Sequence, residues 1–169
     1  MQILRQFCTF VGNMRITLIT VGKTVVPWVK EGLDDYAARL KHYIPFEIKE
    51  IPELKDTKAM SESQIKEREG ALILKAAGSS EIILLDEHGK QFRSLDFAEE
   101  MRRKLAHASR DISFVIGGAY GFSPEVYAAA QGKISLSPMT FNHQMVRTIF
   151  AEQLYRAFTI IKGEPYHHE

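Results

Sequence analysis

From Arg15 to Lys162 the chain alternates between short apolar runs rich in β-branched residues and longer stretches whose apolar residues recur every three or four positions. A run of the first kind reads as a buried strand, and a stretch of the second kind as an amphipathic helix. Strand and helix in strict alternation predict a largely parallel α/β sheet with helices on both faces, because successive parallel strands need a crossover between them.

The strand candidates are Arg15–Val21, Phe46–Ile51, Glu81–Asp86, Ile112–Ile116 and Lys133–Leu136. The third, EIILLD, is apolar enough to be covered on both faces and is expected near the sheet centre. Pro27 opens the first helix, whose Val29, Leu33, Tyr36, Ala37, Leu40 and Tyr43 share one stripe. Ser61 and Gln64 have capping-box spacing, so a helix follows with Ile65, Leu72, Ile73 and Ala76 on its apolar face. Gly78 stands where a left-handed C-terminal residue is needed. Ser94 is expected to cap a helix carrying Phe97, Met101 and Leu105, and Ser123-Pro124-Glu125 is a strong helix start. The last helix is read as Asn142–Lys162, stopped by Gly163, with Val146, Ile149, Phe150, Leu154, Ala157, Phe158 and Ile161 facing the core or a subunit interface.

With 45% hydrophobic and 25% charged residues, no repeat and no linker, the chain reads as one domain over residues 14–169. A lone cysteine, Cys8, excludes an intrachain disulfide and a structural zinc site of the usual spacing. No apolar run is long enough to span a bilayer, so a cytoplasmic location without a membrane partner is expected. In Met1–Asn13, Arg5 precedes Phe7, Cys8, Phe10 and Val11, but Arg15 breaks the stretch and no small-residue cleavage site follows. The segment therefore reads as a disordered or misassigned N-terminal extension. The formal net charge of +1 argues against promiscuous nucleic-acid binding, so recognition of an RNA would rest on local basic clusters and on folded RNA shape.

Open parallel sheets bind ligands at the carboxyl ends of their strands, here Leu84–Glu87, Ile116–Phe122 and Leu136–Phe141. Gly117, Gly118 and Gly121 suit either a tight strand-to-helix turn or a loop lying close against a ligand. Their order differs from the dinucleotide fingerprint, and Gly12 and Gly22 do not supply one, which disfavours NAD. Ser137–Phe141 reads equally as a turn into the last helix with Thr140 or Asn142 as cap. On that helix Glu152 and Arg156 stand at i, i+4 in ion-pair order, with a solvated pair as the plain reading. Arg147, Lys162, His143, His167 and His168 add positive or titratable groups suited to RNA phosphates.

Four spaced motifs together resemble one family. They are Gly117-Gly118-x-x-Gly121, Leu136-Ser137-x-Met139-Thr140-Phe141-x-His143-Gln144, Glu152-Gln153-x-Tyr155-Arg156-Ala157 and Pro165-Tyr166-His167. The family is that of ribosomal RNA large subunit methyltransferase H (RlmH), in the SPOUT superfamily, and the similarity runs from Met14 through the tail. The resemblance implies a SPOUT-type α/β fold with a C-terminal trefoil knot, and a homodimer. It also implies S-adenosylmethionine-dependent methylation of N3 of a pseudouridine in 23S ribosomal RNA, with the large subunit or the assembled ribosome as partner. By motif, the methyl donor is expected at Leu85, Gly117, Gly118 and the segment Leu136, Ser137, Pro138, Met139, Thr140 and Phe141. Asn142 departs from the family pattern, standing where proline is expected before His143.

In-line methyl transfer needs alignment and no metal. The acceptor imide must lose a proton, for which Arg156 is the candidate for charge stabilisation, His167 for proton removal or base positioning and Tyr166 for orienting the ring. His143 reads as a structural contact at the helix start. The competing readings are a non-catalytic RNA-binding ribosome assembly factor of the same fold, and an enzyme holding another nucleotide at Gly117–Gly121.

Overall fold

The computed structural model describes residues 14–168, and the expectation made for residues 1–13 lies outside them. The chain runs β1 (Ile16–Val21), α1 (Pro27–Leu40), β2 (Phe46–Ile51), a 3₁₀ turn (Thr57–Ala59), α2 (Glu62–Ala77), β3 (Glu81–Gln91) and α3 (Ser94–His107). It continues through β4 (Ile112–Ile116), α4 (Pro124–Ala129), β5 (Gly132–Ser135) and α5 (Met145–Lys162). All pairings are parallel, in the order β2-β1-β4-β3-β5.

Side-chain alternation sorts each inner strand onto two cores. Ile16 and Leu18 of β1, Ile83 of β3 and Ile112, Phe114 and Ile116 of β4 face the layer of α1, α3 and α5. Ile19 and Val21, Ile82 and Leu84, and Val115 face α2 and α4. The larger core centres on α5, whose Phe150 stacks at 4.7 Å on Phe114. A fully buried ring of this kind contributes about 2 kcal/mol. The approach of α1 to α5 is close because Gly32 faces Thr148, whose hydroxyl donates to the Val29 carbonyl at 2.9 Å. Among the described residues no helix is long and apolar enough to cross a membrane.

Several local expectations are corrected. β3 lies near the sheet centre as expected, beside the central strand β4, but runs five residues past Asp86 to Gln91. Ser94 occupies the first helical turn while Arg93 is the N-cap, without a side-chain cap bond. The buried stripe of α2 is Ile65, Glu69, Gly70, Ile73 and Ala77, with Leu72 and Ala76 at its margin, since α2 turns Gly70 towards the Ser123 cap of α4. Helix α5 begins at Met145, three residues after Asn142. The capping box at Ser61 and Gln64 and the Ser123 cap of α4 form as the sequence requires. Gly163 ends α5 at φ 68°, ψ 30°.

Candidate active site

The carboxyl ends of β3, β4 and β5 enclose a cavity of about 550 Å³. That is within the range of pockets that hold a small organic ligand. Leu85, Gly117, Gly118, Leu136, Ser137, Met139, Thr140 and Phe141 line it, while Pro138 does not. The glycine segment is both a tight turn and a cavity wall: the Gly121 amide donates to the Gly118 carbonyl at 3.2 Å, and Gly121 has φ +80°. A Cβ on Gly118 would lie 2.4 Å from Oε2 of Glu69, so a side chain there would have to displace the Glu69 carboxylate.

The facing loop is pinned by its own hydroxyls. Ser135 donates to the Ser137 carbonyl at 2.9 Å, and Ser137 Oγ accepts from the Met139 amide at 2.9 Å. Asn142 Oδ1 accepts from the amides of Gln144 at 2.8 Å and Met145 at 3.4 Å. The asparagine at the position expected to be proline thus supplies a side-chain acceptor for the exposed donors ahead of α5.

The third wall was legible in the sequence only as the strand end Leu84–Glu87; the bulge that shapes it was missed. Leu85 and Lys90 both pair with Ile134, so residues 86–89 loop out of the β3–β5 ladder. The loop lies tight on β5, since a Cβ on Gly89 would come 2.6 Å from the Ile134 backbone. The bulge turns Asp86, Glu87 and His88 to the cavity. Asp86 Oδ1 accepts from the His88 amide at 2.8 Å, and Oδ2 accepts from the Tyr127 hydroxyl at 2.5 Å. Burial acts to raise the Asp86 carboxyl, but the bonds from Tyr127 and His88 outweigh it and hold the group below its ordinary range. Burial and then Asp86 push the Tyr127 phenol up to about 12. Among the described residues the lining contains two carboxylates, Asp86 and Glu87, and two histidines, His88 and His143, and no lysine or arginine. The readable signal was an acidic pair, then histidine and glycine, at a strand end.

Arg156, Tyr166 and His167 come together elsewhere. Gly163 reverses the chain so that the tail lies back on α5, with the Glu164 amide donating to the Thr159 carbonyl at 2.9 Å. Glu152 Oε1 accepts from Arg156 Nη2 at 2.5 Å and from the Tyr166 hydroxyl at 3.0 Å. The Arg156 guanidinium lies 4.9 Å from the centre of the Tyr166 ring, and its Nη1 is 3.3 Å from His167 Nδ1. The Glu152–Arg156 pair is therefore a half-buried network rather than a solvated bridge, and burial first raises the Tyr166 phenol. His167 Nε2 is buried without a hydrogen-bond partner among the described residues. None of these residues lines the cavity, and Arg156 stands ten positions beyond Val146, which does. Along one helix that is about 15 Å.

Arg147 does not serve as an exposed cation for phosphate. It is 1% exposed, and its guanidinium donates to the carbonyls of Gly22 at 3.0 Å and Val21 at 2.9 Å and to Thr24 Oγ1 at 2.9 Å. With Gln144, which accepts from the Val25 amide and donates to the Lys23 carbonyl, it clamps the start of α5 to the end of β1. His143 contributes its carbonyl to Arg147 Nε at 3.1 Å and lines the cavity.

Comparison with known proteins follows the same boundaries. Residues 14–167 match the family described as "Predicted SPOUT methyltransferase". The chain is 54% identical over 157 residues to Ribosomal RNA large subunit methyltransferase H of Phocaeicola vulgatus, covering 92% of this chain and 100% of the relative. It is 53% identical over 157 residues to the protein of the same name in Flavobacterium johnsoniae, with the same coverage. The crystal structure of the Probable Methyltransferase from Bordetella pertussis Tohama I shares the fold at a TM-score of 0.52 and 14% identity, over 91% of this chain and 99% of that one. By sequence, extent and fold, the chain belongs to the ribosomal RNA large subunit methyltransferase H family of SPOUT methyltransferases.

Proposed function

We propose that the protein is a cytoplasmic methyltransferase that transfers a methyl group from S-adenosylmethionine to N3 of a pseudouridine in the 23S RNA of the large ribosomal subunit, acting as a homodimer. One observation carries the choice of ligand: the cavity is lined by Gly117, Gly118, Leu136, Ser137 and Met139 to Phe141 together with Asp86 and Glu87, and by no lysine or arginine among the described residues. A nucleotide phosphate would meet carboxylates there, whereas a sulfonium-bearing adenosine brings a positive charge and a flat heterocycle suited to main-chain groups. The chain's similarity to ribosomal RNA large subunit methyltransferases H supports ribosomal RNA as the acceptor.

When bound, the donor supplies a methyl group that is electrophilic because its sulfur is cationic. The chain's task is alignment and removal of one proton from the acceptor imide. His167, with Nε2 buried and unpartnered among the described residues, is assigned to hold or accept that proton. Arg156 stabilises the resulting imidate, and the Tyr166 ring orients the base. Because these groups lie about 15 Å along α5 from the cavity of their own copy, we assign them to the cavity of a second copy. The exposed Val25, Trp28 and Met145, 70%, 61% and 41% accessible, sit on the paired starts of α1 and α5 and supply an apolar face for that contact.

Calorimetry with S-adenosylmethionine, paired with methyl transfer to ribosomes and to separate subunits, tests the proposal. Arg156→Ala and His167→Ala are expected to lose at least about 100-fold in turnover while keeping donor affinity. Wild-type turnover in both variants would remove these residues from the chemistry. RNA binding without donor affinity would replace the enzyme with an assembly factor.

A further inference from the structure

The donor and the product left after transfer differ by one methyl group and one positive charge. A methyl alone is a weak handle, whereas a charge in a partly enclosed cavity is felt strongly, since few intervening waters screen it. Building on the assignment of the cavity to S-adenosylmethionine, we infer that Asp86, presented on the bulge of β3, is the specificity-determining residue that makes the cavity hold the cationic sulfonium and release the neutral thioether.

Three features of the site carry this. The Asp86 side chain is 8% exposed, so its charge acts inside the cavity rather than in bulk solvent. The Tyr127 hydroxyl from α4 and the His88 amide from its own bulge donate to it, and the His88 ring Nδ1 lies 3.2 Å from the same Oδ1. These bonds stabilise the carboxylate, and neither the Tyr127 hydroxyl nor the His88 amide carries a charge. Lys133, which does not line the cavity, has its ammonium 5.4 Å from the centre of the Tyr127 ring. The His88 ring is 3.2 Å from Asp86, but its side chain is 78% exposed, where water and salt damp it. Glu87 adds a second negative group, itself 52% exposed and held by the Thr140 hydroxyl at 3.1 Å.

The carboxylate of Asp86 is held in its ionised form by the same bonds, which outweigh the opposing effect of burial. Its charge is thus a fixed property of the site at neutral pH. The expected consequence is kinetic as well as thermodynamic, because a product that has lost its charge loses the contact that retained its precursor.

The test is calorimetric affinity of the full chain for S-adenosylmethionine and for S-adenosylhomocysteine, expressed as their ratio, in wild type, Asp86→Asn, Asp86→Glu and Glu87→Gln. The amide introduced by Asp86→Asn keeps an acceptor for the His88 amide and a polar partner for Tyr127, and thermal midpoints verify the fold of each variant. Asp86→Asn is expected to shift the ratio about tenfold towards the product, almost entirely through weaker donor binding. Asp86→Glu should restore most of the preference, and Glu87→Gln should change it less than Asp86→Asn. In wild type, raising salt from about 0.05 M to about 0.5 M should narrow the ratio. A ratio within about twofold of wild type in a folded Asp86→Asn variant overturns the inference and leaves the cofactor assignment standing. Failure of wild type to bind either ligand overturns both.

Discussion

Glu69 is 8% exposed on α2, its Oε2 meets no hydrogen-bond donor among the described residues, and its carboxylate packs against Gly118. Burial first, and then the neighbouring Glu53, raise its carboxyl above the ordinary range. The native state therefore binds this proton more tightly than the unfolded chain. The associated stability is fully present below the unfolded carboxylate range, about 4.3 for glutamate, and is lost as pH rises through the raised folded-state value. At neutral pH the residue weakens the fold, unlike Arg147, whose buried charge is met by four acceptors. Glu69→Gln, with the same shape and no charge, is expected to gain on the order of 1 kcal/mol near pH 7 and to flatten the pH dependence of stability. Urea unfolding at a series of pH values reads both effects, and an unchanged pH slope would show that Glu69 is not the group responsible. That a destabilising carboxylate packs behind Gly118 ties the turn's shape to α2, a coupling that no spacing in the sequence announces.

Secondary elements form where local chemistry is self-sufficient. At the start of α2, Ser61 Oγ accepts from the Gln64 amide at 3.2 Å and Gln64 Oε1 accepts from the Ser61 amide at 2.9 Å. Ser61→Ala removes one half of this reciprocal cap and should cost about 1 kcal/mol in global stability without altering ligand affinity, measurable by thermal melting beside calorimetry. A larger loss would mean that α2 depends on its cap more than on packing. The same local sufficiency made β2, β4, the Ser123 cap and the Gly163 stop readable from sequence, because each is set by residues within a few positions. The cavity's glycine turn and the loop to Phe141 were readable through the motif resemblance. What escaped reading depends on partners far along the chain. The extension of β3 exists because β5 pairs with it twice, at Leu85 and again at Lys90, with Ile134 common to both. Asp86 gains its role from Tyr127, 41 positions away, and Arg147 is buried by carbonyls more than 120 positions earlier. Period and propensity carry no information about such pairings.

At the scale of the molecule, the two halves of the proposed chemistry lie on different parts of one copy: the cavity at the ends of β3, β4 and β5, and the Arg156–Tyr166–His167 group where the tail folds onto α5. A two-fold axis is the simplest operation that unites them, since it gives each cavity a partner tail and creates two equal sites. This arrangement makes a distinctive prediction. One inactive variant should carry a blocked cavity, as in Gly117→Val, where a Cβ already meets the Phe122 ring at 3.0 Å. The other should carry Arg156→Ala and keep its cavity. Each homodimer is expected to be inactive, yet random re-association of an equal mixture should yield about half mixed dimers, each with one intact composite site, and so about a quarter of wild-type activity. Recovery of that size with labelled methyl transfer to ribosomes requires donor and proton-handling groups from different copies. If the mixture stays inactive while size measurements show that mixed dimers have formed, each copy must assemble its own site, and the tail would have to cross about 15 Å to reach it.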